Sequence, residues 1–178
     1  ILIAVDSFKG SLSSSNAAKI ISKGFLKINP NLDIKTVAIA DGGEGTVEAF
    51  IENFGGKYVS TYVSNPLKKR IRAKFGLIEN EKTAIIEMSA ASGINLILPE
   101  ERNPLFTSTF GTGELILKAL KNNVNKIILG IGGSATNDGG IGLASALGIK
   151  FLNRHNKQIG LNAEALSELE FINIQDRN

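Results

Sequence analysis

The sequence predicts an α/β fold organised on a parallel sheet. Three observations carry that expectation. Short apolar runs alternate with amphipathic helical stretches, the pattern of β-α units. Polar loops rich in glycine and carrying acids follow several of those runs directly. The chain holds 19 glycines against four prolines in 178 residues, and the glycines fall in loops after strands, which suggests close backbone approach to a ligand.

Residues 1–5 (ILIAV) form a continuous apolar run, as expected of a buried parallel strand. A polar loop follows at 6–11, and the serines of 11–15 offer helix N-caps. Ala17, Ile20, Ile21, Gly24, Phe25 and Ile28 then recur at helical spacing, and Asn29-Pro30-Asn31 stops the helix. Residues 33–40 are the second strand, 41–46 a second glycine loop, and 47–54 a short helix closed by Gly55-Gly56. Residues 58–63 and 70–78 alternate, with Ile71, Ala73, Phe75 and Leu77 on one face. Together with 83–88 they read as an antiparallel meander, either an edge of the main sheet or the start of a small second lobe.

Residues 89–93 are a tight turn or short helix, and Thr112-Gly113-Glu114 opens the next helix. The run 126–129 is a strand that leads into the loop 130–140, which holds five glycines, and then into a helix reaching Leu147. A hairpin is expected from 149–152 and 157–159, a short helix from Asn162, and a strand-like stretch at 171–174.

Composition narrows the function. Apolar residues make up 43% and charged residues 21%, so a packed core is expected. The net charge of +3 is small and the basic residues are dispersed, which argues against a nucleic-acid partner. The one cluster, Lys68-Lys69-Arg70-Ile71-Arg72, reads as solvated hairpin surface. With no cysteine and one histidine, thiolate and multi-histidine metal sites are excluded; His155 falls in an expected turn and reads as incidental. No apolar run is long enough to span a bilayer, residues 1–6 do not resemble a signal peptide, and a cytoplasmic setting is expected.

Four loops are ligand candidates: 6–11, 41–46, 107–113 and 130–140. In an open parallel sheet the loops at strand C-termini gather on one edge, where ligands bind. These loops hold Asp6, Asp41, Asp138, Lys9 and Glu44 among small hydroxyls and glycines, with Arg102 just upstream of the third. Backbone amides and cations suit phosphate, and carboxylates suit Mg²⁺ or an alcohol proton, so the mixture fits phosphoryl transfer to a hydroxylated acceptor. Each loop also has a plainer reading. Asp41 or Thr46 would serve as a helix cap, Lys9 as a solvated loop lysine, and 107–113 as an N-cap with tight packing.

No GxxxxGK[ST] occurs, so the chain is not a P-loop enzyme, and HRD and DFG are absent. Residues 130–135 match G-x-G-x-x-A, but Asp138 would sit beside a pyrophosphate, and 151–154 lack the ribose-binding acid of a dinucleotide site.

Five stretches go further: DSFKGSLS at 6–13, ADGGEGT at 40–46, IEMSAASG at 86–93, RNPLFTSTFGTGE at 102–114 and GIGGSATNDGG at 130–140. In these motifs and their order, the sequence closely resembles the bacterial glycerate kinase family of the type I class. The resemblance implies ATP-dependent phosphorylation of D-glycerate by a protein of two α/β domains, one Rossmann- or flavodoxin-like, with the active site in the cleft between them. Members are considerably longer, so the chain is expected to be the N-terminal portion of such a kinase, weakly active or inactive alone. Residues 1–57 and 83–178 are assigned to the Rossmann-like portion and 58–82 to the antiparallel segment.

The loop chemistry proposes roles within that frame. Lys9 or Arg102 holds the substrate carboxylate. The amides of Gly132, Gly133 and Ser134 cradle ATP phosphates, with Mg²⁺ neutralising charge. Asp138 or Asp41 orients the hydroxyl or accepts its proton, and Asp138 is also the candidate metal contact. Ser7, Gly10, Ser11, Gly42, Gly43, Glu44, Ser108, Thr109, Gly111, Thr112, Gly113 and Asn137 complete the binding set. The alternative is a non-catalytic module that holds a small anion or nucleotide through the same loops.

Overall fold

The strand Arg70–Ile78 places its odd and even residues on opposite faces, and that alternation positions the other elements. A computed structural model describes residues 1–8 and 10–174, without the side chain of Glu81. In chain order the elements are β1 (Leu2–Val5), α1 (Ser14–Ile28), β2 (Lys35–Ala38), α2 (Thr46–Phe54), β3 (Lys57–Ser64), β4 (Arg70–Ile78), β5 (Thr83–Glu87), α3 (Ser89–Ser92), α4 (Phe110–Leu120), β6 (Lys126–Gly130), α5 (Ile141–Ala146), β7 (Lys150–Leu152) and β8 (Phe171–Asn173).

The main sheet has the order β3-β4-β5-β6. β3, β4 and β5 pair antiparallel as the alternation predicts, and β6 adds parallel to β5, with Ile85 opposite Ile128. The meander is therefore continuous with the main sheet by hydrogen bonding. On one face Val63, Ala73, Phe75 and Ile86 pack with Leu115 and Ala119 of α4. On the other, Ile78 and Ile85 pack with Val47 of α2. α2 lies close because Gly76 has no side chain: a Cβ there would sit 3.0 Å from Val47 Cγ1.

β1 and β2 pair in parallel, also as expected, but they form a separate two-stranded sheet. The burial expected for residues 1–5 is only partly met. Ile3 is buried, whereas Leu2 is 67% exposed, because its side of the strand has no covering layer among the described residues.

A smaller cluster of Ile141, Phe151, Ile159 and Ala165 joins α5 to the last segment. There the expected hairpin closes as Ile159 N donates to Phe151 O at 2.9 Å, and β8 pairs antiparallel with β7. The expected terminal helix is a short 3-10 turn at Glu164–Glu168. No helix among the described residues is long and apolar enough to cross a membrane.

Candidate active site

The loops that follow β1, β2, β5 and β6 meet over the α2 face of the main sheet, beside the first turns of α2. They enclose an open cleft of about 1,230 Å³. Its floor is the sheet itself: Tyr58 and Ser60 of β3, Arg72 and Lys74 of β4, and Glu87 at the end of β5.

The wall after β1 is a tight turn in which Phe8 N donates to Leu12 O at 2.9 Å and Leu12 N returns a bond to Phe8 O at 3.0 Å. Ser7, Gly10 and Ser11 face the cleft from this turn. Lys9, a candidate from the sequence, lies outside the described residues. Ser14 Oγ accepts from Ile39 N at 3.1 Å, which ties the start of α1 to the end of β2.

The wall after β2 is set by Asp41, whose Oδ1 accepts from Gly43 N at 3.0 Å, and by Thr46, whose hydroxyl donates to Gly43 O at 2.8 Å. α2 begins at a glycine N-cap that has no side chain to offer. Glu87 supplies the missing acceptor from β5: its Oε1 takes Val47 N at 2.7 Å.

The third wall crosses the second on bare backbone. Gly132 N donates to Gly42 O at 2.9 Å. A Cβ on Gly132 would fall 2.7 Å from Gly43 Cα, and one on Gly130 would fall 2.5 Å from Gly42 O. Only glycine permits this approach. Gly132 and Gly133 reach the cleft, while Gly42 backs them from behind. Ser134 shares a 2.7 Å hydrogen bond with Thr136 Oγ1 and does not line the cleft.

Charge in the cleft is strongly one-sided. Asp6, Asp41, Glu44, Glu48, Glu52 and Glu87 line it. Burial raises the Glu87 carboxyl above its ordinary value, and the nearby Glu44 adds to the rise, against the backbone amides and Lys74. The Tyr58 phenol is raised as well, by burial first and then by Glu48, Glu52 and Glu87.

The remaining site candidates gather elsewhere. Asp138 is 1% exposed and does not line the cleft. Its Oδ2 accepts from Thr109 N at 2.8 Å, Thr109 Oγ1 at 2.9 Å and Gly142 N at 3.2 Å, while Oδ1 accepts from Gly140 N at 3.1 Å. Thr109 Oγ1 in turn accepts from Leu143 N at 2.9 Å. One carboxylate thereby satisfies helix-end amides at the starts of both α4 and α5.

Around this junction the glycines serve packing. A Cβ on Gly111 would lie 1.8 Å from Ser64 O, and one on Gly113 would lie 2.5 Å from Leu143 O. Ser108 accepts from Phe110 N at 3.3 Å, and Thr112 shares a 2.7 Å hydroxyl contact with Ser92. Arg102 and Asn137 are exposed and away from the cleft lining. Among the described residues no group of three or more His, Cys, Asp or Glu is arranged to hold a metal ion.

The cleft residues that were not singled out from the sequence include Tyr58, Arg72, Lys74 and Glu87. Arg72 belongs to the cluster read as solvated hairpin surface, and the structure moves it to the cleft floor. The signal was the other half of the β4 alternation, in which Arg70, Arg72 and Lys74 share the face opposite Ala73 and Phe75.

The description "Glycerate kinase family" matches residues 1–178. The chain belongs to the glycerate kinase family. It is 47% identical over 174 residues to Bacillus subtilis (strain 168) "Glycerate kinase", covering 98% of this chain and 46% of that protein. It is 48% identical over 174 residues to Escherichia coli (strain K12) "Glycerate 2-kinase", again covering 98% of this chain and 46% of the relative. A crystal structure assigned as glycerate kinase 2 from Salmonella typhimurium LT2 superposes with a TM-score of 0.88 at 45% identity, covering 99% of this chain and 48% of that one. The chain thus spans about half the length of the family members it matches. The α/β architecture is that of this family.

Proposed function

We propose that the chain contributes the cleft of an ATP-dependent kinase of the type I class that phosphorylates D-glycerate. The observation that carries this reading is the family correspondence over residues 1–178, because every loop that opens on the cleft lies inside the matched stretch. Phosphoryl transfer needs positioning and charge stabilisation more than covalent chemistry. The turn holding Ser7, Gly10 and Ser11 and the backbone of Gly132 and Gly133 are placed to bind phosphoryl or substrate oxygens. Of the two aspartates considered as base, Asp41 lies on the cleft, so it is the one we assign to orient the acceptor hydroxyl or take its proton. Asp138 holds the helix junction.

The donor set fits Mg²⁺ carried by the nucleotide. Such sites use one or two carboxylates plus substrate phosphates rather than a full protein cage, and Asp6, Asp41 and Glu44 offer carboxylates at the cleft. When bound, the ion would neutralise phosphoryl charge. The name of the Escherichia coli relative points to position 2 of glycerate as the acceptor. The setting proposed is cytoplasmic, with small-molecule ligands and no nucleic-acid or membrane partner.

Calorimetry with MgATP and with D-glycerate, paired with an ADP-release assay and NMR of the product, tests the reading. Binding of the two ligands is expected, and any ADP release, weak from this chain alone, should require D-glycerate. A chain that binds neither ligand overturns it, and binding that does not distinguish D-glycerate and MgATP from other small anions favours the non-catalytic module.

A further inference from the structure

The cleft poses a problem for any anionic substrate. Six carboxylates line it, and among the described residues Arg72 and Lys74 are its cationic side chains. Two residues apart on β4, they stand on one face of the strand, while Ala73 between them is buried in the opposite core. Lys74 lies opposite Ser60 on β3, and its Nζ sits 4.2 Å from the centroid of the Tyr58 ring. That contact holds the ammonium on the cleft floor, near Glu87.

Arg72 is different. Two basic residues of the same cluster are engaged: Arg70 pairs with Glu114 and also donates to Tyr62 O, and Lys69 pairs with Glu101. Arg72 makes no hydrogen bond or ion pair within the described residues, although carboxylates line the same cleft. Its five N–H donors form a rigid fork that matches two oxygens of a carboxylate or a phosphoryl group.

We infer that Arg72, with Lys74 beside it, receives the anionic oxygen group of a substrate on the cleft floor, where neither cation had been assigned a role. The inference rests on the phosphoryl-transfer reading and deepens it. Arg72 supplies two parallel N–H···O contacts and Lys74 a single point charge. The acids that line the rest of the floor disfavour an anion beside them, so the pair selects position as well as charge. The group bound is the carboxylate of the hydroxy acid or a phosphate of the nucleotide, which share this chemistry.

Titration calorimetry of the 178-residue chain at low salt, with D-glycerate in one arm and MgADP in the other, tests this on the wild type and on Arg72→Gln, Arg72→Lys, Lys74→Met and Lys57→Met. Lys57 pairs with Glu79 outside the cleft and reports loss of charge alone. Arg72→Gln is expected to weaken one ligand about tenfold or more, Lys74→Met to weaken the same ligand about threefold, Arg72→Lys to recover part of the loss, and Lys57→Met to match the wild type. Thermal midpoints should stay together, since Arg72 is exposed. A loss in the D-glycerate arm assigns the carboxylate, and a loss in the MgADP arm assigns the phosphate. Wild-type affinity for both ligands in Arg72→Gln overturns the inference and leaves the kinase reading standing. A wild type that binds neither ligand overturns both.

Discussion

The loops 41–46 and 130–140 look alike in sequence, each placing an aspartate among paired glycines and a threonine ahead of a helix. In the fold they part. The first opens on the cleft, with Asp41 turning its own loop and Glu87 relieving it of capping α2. The second splits in two: Gly132 and Gly133 reach the cleft, while Asp138 is sealed between α4 and α5. Whether an acid in such a loop faces the cleft depends on who caps the helix behind it. Where a distant glutamate does, the loop aspartate is left to face the cleft. Where the loop aspartate does, it is consumed.

The contrast is open to direct attack, and the harshest test is steric. Gly111→Ala drives a Cβ into Ser64 O and is expected to cost about 3 kcal/mol or more by urea denaturation. Gly10→Ala, with nothing within 4 Å but a φ of +76°, is expected to cost about 1 kcal/mol. Equal costs would break the distinction between a closed junction and an open turn.

Asp138→Asn leaves a buried amide facing amides, and a loss of about 2 kcal/mol in unfolding free energy is expected. Asp41→Asn keeps an acceptor for Gly43 N and should change stability by less than about 1 kcal/mol. Its effect falls on turnover in the ADP-release assay, which is expected to drop about 100-fold. Reversal of this pattern would exchange the roles assigned to the two aspartates.

The pH dependence sharpens the comparison further. Glu87 has a folded pKa above its ordinary 4.5, so the folded state holds the proton more tightly than the unfolded one. Stability should therefore fall as pH rises from about 4.5 through the raised value. Glu87→Gln, whose amide oxygen still accepts from Val47 N, should flatten that decline in denaturation series across pH. An unchanged slope would mean that Glu87 is not the group responsible. The smallest effect belongs to the exposed Lys57–Glu79 pair, where Lys57→Met should alter stability by less than about 0.5 kcal/mol.

Much of the architecture could be read from local pattern. The alternation over Arg70–Ile78 gives β4 both its faces, and the 3.6-residue period gives α1, because those signals arise from local geometry. The site was less legible. The loops after β1 and β2 and residues 132–133 line the cleft, as their place after strands leads one to expect. Asp138 was not separable from Asp41, since a glycine loop before a helix looks the same whether its acid caps or faces ligand. The bonds from Gly140 and Gly142 at alternate positions after Asp138 are the local trace of the cap. Arg72 was hidden for another reason. Whether the polar face of β4 meets bulk water or a cleft is decided by how far α2 and the loops after β1 and β2 extend over it, and no residue near Arg72 encodes that reach.

The glycine crossing between the second and third walls has a consequence for local opening. The β1–α1–β2 unit has its own two-stranded sheet; Gly42, Gly43, Gly130 and Gly132 join it to the main sheet backbone to backbone, and Asn53 of α2 donates to Ala38 O at 2.7 Å. A seam built on backbone approach is a natural parting line for sub-global unfolding, with amides of β1 and β2 exchanging ahead of those of β5. A ligand touching both sides of the cleft would bridge that line and slow the exchange of the whole first unit, making hydrogen-exchange protection there a gauge of occupancy.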